Sequence, residues 1–565
     1  MSIAAAREYL ASPDLETDLR AELEPVVRAA EAGDAAALAE VQDRFSEPLA
    51  FGTGGLRGIM AAGLRRMNKP NIRRTTLALA EVARKHVPEV RTALVGFDTR
   101  LQSDSFALEA ARVLAAAGYK VYLGNRPLPT PFLCYAMRKL GTACGIIVTA
   151  SHNPKEYNGY KAYNNLGGQV MAPWDSEVEA AMGRLPLVPP PPPAGAGVVS
   201  IPQELEESYL ALGLRLRQLP DMFQPARIVY TPFHGTGIAF VPELFRRAGI
   251  PLQICASQAI QDGTFPTAPR PNPEEIAAYQ APLADARRLG AEVILSNDPD
   301  ADRIGLVAPR NGDWELMSGN DLAALTLDYL CAHKGLKGVA VTTVVTSDLL
   351  AVVAKTYGLD VMWTLTGFKN IAICMDQIEK HGETYAYSAE ESFGMQLSDQ
   401  MRDKDGVLAS LVVAELVGYY KGKGLGPYEA VDALKARVGM FHNRLVNLED
   451  PRPGGAVRFA AAMTRIREAG LQSFGGEKVV SWEDFQSGLW HGEGREETIL
   501  DRPDQREKAR PIDRSNVLKF RLESGAFAAF RPSGTEPKLK VYLQSRTSAE
   551  LLDVMETEAR ALLGL

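Results

Sequence analysis

Apolar and charged positions alternate at helical spacing over residues 8–50. Leu19, Leu23, Val26, Val27 and Ala30 fall on one stripe that Gly33 ends, which predicts a helical extension ahead of the first α/β unit. The pattern then changes. TALVGFD (Thr92–Asp98), YKVYLG (Tyr119–Gly124) and GIIVTA (Gly145–Ala150) are short, nearly continuous apolar runs and read as buried strands. FALEAARVLAAAG, between the first two, reads as a helix stopped at Gly118. This βαβαβ order predicts a largely parallel sheet. Arg227–Pro232, the helix FVPELFRRAG and the strand Ala291–Asp298 repeat it. A third unit holds Gly338–Ser347, a helix over Leu349–Tyr357 and the strand Thr384–Ser392. After Pro453 the period becomes two, in VLKFRLESGAFAAFRPSG and LKVYLQS, as in an antiparallel sheet. Ala549–Leu563 reads as a closing helix.

The expected fold class is therefore α/β: three α/β domains and a smaller C-terminal α+β domain. The expected boundaries are a helical extension over 1–50, then domains at 51–205, 206–325, 326–450 and 451–565. A chain of 565 residues is too long for one core, at about 100–200 residues per domain. Pro189–Pro193, a five-proline run followed by AGAG, predicts a surface spacer near the end of the first domain.

Hydrophobic content of 46% and charged content of 23% are ordinary for a globular protein. A net charge of -7 offers no general attraction for nucleic acid or an anionic membrane, so neither is expected as a partner. No run of about 18 apolar residues predicts a membrane span. The N-terminus carries Asp and Glu where a secretory signal would need an apolar core. The five cysteines include no CxxC pair, which predicts buried thiols in a reducing cytoplasm.

Five segments carry candidate chemistry. TASHNP (Thr149–Pro154) presents Ser151 on a tight loop after a strand, either as a nucleophile or phosphate carrier or as a plain loop serine. No GxSxG elbow supports hydrolase chemistry. His152 is its neighbour, and Lys161, ten residues on, reaches the loop if the chain folds back. DPDADR places Asp298, Asp300 and Asp302 at alternate positions. Three carboxylates this close repel, so a hard cation such as magnesium is the economical reading and a solvated acidic turn the bland one. An EF-hand is excluded because its glycine and terminal glutamate are missing. Arg303 reaches a phosphate or pairs with a carboxylate. RPSGTEP (Arg531–Pro537) offers a guanidinium fork, two hydroxyls and backbone donors, either a phosphate clamp or a hairpin turn. FGTGGLRG (Phe51–Gly58) gives a tight backbone path and Arg57, without the GK[ST] of a Walker loop. TGFKN and AEESFG place Glu390 and Ser392 two apart, on one side if extended, suited to sugar hydroxyls or simply to solvent.

Taken together, FGTGGLRG, TASHNPKEYNGYK, DPDADR, TGFK, EESFG and RPSGTEP resemble the α-D-phosphohexomutase superfamily in content and order, from Phe51 to Pro537. The resemblance implies four domains around one cleft and an intramolecular phosphotransferase acting on a phosphorylated sugar. It implies that Ser151 carries the phosphoryl group and, with Asp298, Asp300 and Asp302, ligates Mg2+. It implies that Arg57, His152 and Lys161 line the catalytic centre. Thr366, Gly367, Lys369, Glu390 and Ser392 would read the sugar. Arg531, Ser533, Gly534 and Thr535 would hold the non-reacting phosphate, with Arg303 also at the substrate. Phe393 and Gly394 follow Ser392, as in phosphoglucomutase-like members, where a lysine of the KDG segment, here Lys404, is the candidate acid/base. The expected reaction interconverts glucose 1-phosphate and glucose 6-phosphate, with glucose 1,6-bisphosphate as activator. Mannose and pentose phosphates are the alternatives, the latter through the N-terminal form shared with phosphopentomutases. A monomer or a dimer is compatible with the motifs.

Overall fold

The computed structural model describes residues 2–52, 54–193, 197–218, 222–450, 452, 454–492, 494–499, 514–532 and 538–564. The chain forms two bodies, Met1–Met317 with Phe393–Gly424, and Ser318–Ser392 with Leu425–Leu565.

The first body begins with three helices, α1 (Ser2–Ala11), α2 (Thr17–Glu31) and α3 (Ala35–Phe45). The predicted stripe is their seam: Leu23, Val27 and Ala30 bury with Tyr9, Val41 and Phe45 against Ala62 and Leu64. Asp34 caps α3, accepting from the amides of Ala36 and Ala37. A six-stranded sheet follows, made of β1 (Gly55–Ile59), β2 (Thr92–Phe97), β3 (Lys120–Leu123), β4 (Cys144–Val148), β5 (Tyr157–Tyr163) and β6 (Val198–Ser200), in the order β1-β5-β4-β2-β3-β6. Strands β2, β3, β4 and β6 pair in parallel. The expectation of a largely parallel sheet needs correcting at one edge: β5 runs antiparallel to both β4 and β1. The physical reason is the short return between β4 and β5, which has no room for the crossover a parallel pair needs.

The second sheet, of β7 (Ile228–Thr231), β8 (Leu252–Ile254), β9 (Val293–Ser296), β10 (Gly305–Arg310) and β11 (Asp313–Leu316), has the order β11-β10-β9-β7-β8. Strands β8, β7 and β9 pair in parallel, and β10 and β11 are antiparallel.

In the second body, β12 (Val339–Thr343) pairs in parallel with both β13 (Asp360–Thr364) and β14 (Tyr385–Ala389). The C-terminal strands His442–Glu449, Lys538–Ser545, Phe527–Pro532 and Leu518–Leu522 form successive antiparallel pairs, as the period of two predicts. The helix Glu550–Leu563 packs Leu552, Met555 and Ala559 into their core. Among the described residues no helix is long and apolar enough to cross a membrane. All five cysteines are buried and none is in a disulfide, and burial pushes the Cys144 thiol up to about 12. The proline run is partly anchored: Pro189 is buried and its carbonyl accepts from the buried Arg73, while Pro190, Pro191 and Pro193 are exposed.

Candidate functional site

The serine loop grows from the apolar strand β4. Ser151 is buried and has φ 51°, a left-handed conformation uncommon for a residue with a Cβ. Two neighbours hold it there. Its amide donates to Thr149 Oγ1 at 2.8 Å. The buried Arg100 donates from one guanidinium to the carbonyls of Ser151 (2.6 Å), Pro154 (2.9 Å), Tyr157 (3.0 Å) and Asn153. Asp98 in turn accepts from the Arg100 amide at 2.9 Å and from Ser103 Oγ at 2.7 Å. Ser151 Oγ is thereby aimed at the acidic loop, donating to Asp298 Oδ2 at 2.7 Å, with His152 Nδ1 at 3.0 Å. Burial, then the charges of Arg303 and Arg57, press the His152 pKa well below the usual imidazole range, so the ring is neutral. Arg57, on β1, donates to Asn153 Oδ1 at 3.2 Å.

The acidic loop follows β9. Asp298, Asp300 and Asp302 are all buried, and one oxygen from each lies within 4.8 Å of the others. Several segments clamp the loop. Thr130 donates from its amide to the Asp300 carbonyl (2.9 Å) and from Oγ1 to Asp300 Oδ2 (3.1 Å). Thr236 donates to the Pro299 carbonyl from its amide (2.8 Å) and hydroxyl (2.9 Å). A Cβ on the neighbouring Gly235 would sit 2.3 Å from Pro299 Cα, so this approach requires glycine. Asn297 Nδ2 donates to the carbonyls of Arg303 (2.7 Å) and Gly406 (3.1 Å).

These carboxylates fit a hard cation. Asp300 Oδ1 and Asp302 Oδ1 are buried with no hydrogen-bond partner among the described residues. Buried acceptors are costly to leave unsatisfied, and oxygen donors of this kind suit magnesium. Burial, with the charges of Asp302 and Asp300, raises the Asp298 pKa well above the carboxylate range. Burial also acts to raise Asp300, but Lys161, a hydrogen bond with Asp298 and the charge of Lys404 together outweigh it and hold that carboxyl below the range.

Two lysines face the triad from separate segments. The return of β5 against β4 brings Lys161 opposite Ile147, and its Nζ donates to Asp300 Oδ2 (2.7 Å) and lies 3.4 Å from Asp302 Oδ2. Burial alone would lower its pKa; Asp300, Asp302 and Asp403 together raise it. Lys404 Nζ lies 2.9 Å from Asp302 Oδ2 and 3.6 Å from Asp403 Oδ1. The first body thus brings Arg57, Ser151, His152, Lys161, Asp298, Asp300, Asp302 and Lys404 to one place. Arg303 is there too, paired with Glu274.

The second body holds the remaining candidates. Thr366 and Gly367 precede the helix Phe368–Lys380, which carries Lys369 in its first turn. Glu390 Oε1 accepts from the Gly367 amide at 2.7 Å. Glu391 Oε2 accepts from Thr346 (3.2 Å) and Thr343 (3.4 Å). The extended conformation assumed for Glu390–Ser392 is not found: Glu391 and Ser392 form a turn, because β14 ends at Ala389. Arg531 lies near the end of the strand Phe527–Pro532, with Nη1 3.5 Å from Tyr542 Oη. Ser533, Gly534 and Thr535 lie outside the described residues.

Arg100, Thr130, Thr236 and Asn297 support the site, yet no motif in the sequence singled them out. Their common signal is position: each lies just past a strand or at a helix start, where α/β sheets present their loops.

Sequence models of the four phosphoglucomutase/phosphomannomutase domains match residues 48–186, 215–312, 318–434 and, for the C-terminal domain, 493–561. A probable phosphomannomutase of Haemophilus influenzae is 33% identical over 492 residues, covering 85% of this chain and 93% of that protein. A phosphoglucomutase of Staphylococcus haemolyticus is 30% identical over 520 residues, covering 88% and 90%. A crystal structure from Thermus thermophilus, of a candidate phosphomannomutase, has a TM-score of 0.68 at 25% identity, covering 92% of this chain and all of that one. A serine, an acidic triad and two lysines on α/β sheets of this order define a phosphoryl-transfer enzyme of the phosphosugar mutase class. The chain belongs to the phosphoglucomutase/phosphomannomutase family.

Proposed function

We propose that the chain interconverts glucose 1-phosphate and glucose 6-phosphate through a phosphorylated Ser151, primed by glucose 1,6-bisphosphate. The observation that carries the chemistry is Ser151 Oγ at 2.7 Å from Asp298, beside two buried carboxylate oxygens without partners among the described residues. Asp298, Asp300, Asp302 and the Ser151 phosphate would hold Mg2+, which would offset charge on the transferring group. The bond between Ser151 Oγ and phosphorus breaks as a sugar hydroxyl oxygen bonds to phosphorus. Lys404, which must be in its neutral amine form for this role, takes the hydroxyl proton and returns it in the reverse half-reaction. Lys161 and Arg57 compensate charge, and neutral His152 orients the serine. The bisphosphate then presents its other phosphate to Ser151, which takes it back and releases the isomer. Thr366, Gly367, Lys369, Glu390 and Ser392 read the sugar; Arg531, Ser533, Gly534 and Thr535 hold the non-reacting phosphate, aided by Arg303. The domain boundaries at 205, 325 and 450 belong to the same proposal.

The EESFG form and the staphylococcal relative support glucose. The Haemophilus relative, at 33% identity, supports mannose as the second reading. Parallel assays on glucose 1-phosphate, mannose 1-phosphate and ribose 1-phosphate decide, because specificity is a ratio of kcat/KM values. Glucose is expected to give the highest value. A mannose or ribose value well above it would replace glucose while leaving the phosphoserine chemistry standing.

A further inference from the structure

We infer that Gly394 is a positioning residue for Lys404: the glycine leaves open the space through which the lysine stem reaches the acidic triad. A Cβ built on Gly394 would lie 2.1 Å from Lys404 Cδ, 2.9 Å from Cγ and 3.3 Å from Cε. Those three are the nearest atoms it would meet, and all belong to this one side chain. The Gly394 φ is not in the left-handed region, so its backbone suits alanine equally well. The requirement for glycine therefore comes from the lysine. Gly394 is itself held against the acidic loop, bridged to Arg303, with the Ile304 amide donating to the Phe393 carbonyl at 3.0 Å. The lysine stem crosses this fixed surface and ends 2.9 Å from Asp302 Oδ2.

A consequence concerns EESFG as a unit. Its first residue, Glu390, is tied to the Gly367 amide in the second body, and its last shapes the path of Lys404 in the first. The segment proposed to read the sugar thus also sets the proposed acid/base. A methyl group at 394 collides with a flexible stem and not with backbone, so the lysine gives way and the fold persists.

The inference rests on Lys404 as the acid/base, and a double-mutant cycle separates the two. Gly394→Ala, Lys404→Ala and the double variant are compared by kcat, KM and single-turnover transfer from phosphorylated Ser151, with thermal midpoints as a check on folding. Gly394→Ala is expected to lower kcat about 10²-fold, the lower end for losing a general acid/base, with KM little changed. In the Lys404→Ala background the same substitution is expected to cost almost nothing, because the stem it displaces is gone. Wild-type turnover in Gly394→Ala, or an equal loss in both backgrounds, would overturn the positioning role. Wild-type turnover in Lys404→Ala would instead remove the acid/base assignment on which it stands.

Discussion

Ser151 occupies a conformation that costs a residue with a Cβ on the order of 1–3 kcal/mol, and it is sustained by neighbours that exceed that cost. Arg100 supplies most of the hold: one buried guanidinium gathers four carbonyls of residues 151–157. In this conformation the hydroxyl points at Asp298. Replacing the hydroxyl should therefore remove the reaction without removing the fold. Ser151→Ala is expected to lose turnover entirely while keeping the wild-type thermal midpoint. Intact mass after incubation with glucose 1,6-bisphosphate should show one added phosphate on the wild type only. Equal labelling of the variant would place the phosphoryl group on another residue.

Among the helices and strands, it is the strand ends and helix starts that deliver the chemistry. The helix Gly406–Gly422 begins beside Lys404, and its cap, Asp405, accepts from the Leu408 amide at 2.8 Å. Tyr209 Oη lies 2.9 Å from both of its oxygens. Burial pushes the Asp405 carboxyl up to about 7, partly offset by the Leu408 amide and the Tyr209 hydroxyl. In the unfolded chain an aspartate titrates near ~3.9. Between these values the folded chain holds a proton that the unfolded chain has lost. This contribution to stability is complete below about pH 4 and disappears as pH rises through about 7. Asn keeps the capping oxygen and has nothing to titrate. Asp405→Asn should flatten the thermal midpoint against pH over this window, and its gain relative to wild type should be larger above it than below. Parallel curves for the two proteins would show that Asp405 does not titrate there.

Across the first body as a whole, the N-terminal helices complete the packing. They cover Ala62 and Leu64 in the segment that follows the Arg57 strand. Asn71 holds that segment from the other side, donating to the carbonyls of Leu64 (3.0 Å) and Arg66 (2.7 Å). Arg73, fully buried, pairs with Glu16 of the extension and with Glu109 at 2.9 Å. Deleting residues 2–47 removes the apolar cover and one partner of a buried charge, a change that typically costs about 3–5 kcal/mol. The truncated chain is expected to unfold at a clearly lower urea concentration, read by circular dichroism. An unchanged midpoint would make the extension a passive appendage.

Much of this organisation was legible along the chain. Strands buried on both faces read as apolar runs, and a helix seam reads as a stripe, because burial acts on each residue locally. The order of motifs from FGTGGLRG to RPSGTEP was enough for the family. The chain alone did not show that β5 turns back antiparallel, which is what carries Lys161 to Asp300. Nor did it show that Glu391 and Ser392 form a turn, or that Arg303 is paired with Glu274. It left Arg100, Thr130, Thr236 and Asn297 unmarked, and it offered no reason for a glycine at 394. Local composition determined which residues are buried and which carry chemistry. Tertiary structure decided which of them meet, because hydrogen bonds and steric contacts act across a few ångströms between residues far apart in the chain, as Thr130 and Asp300 are at 170 positions.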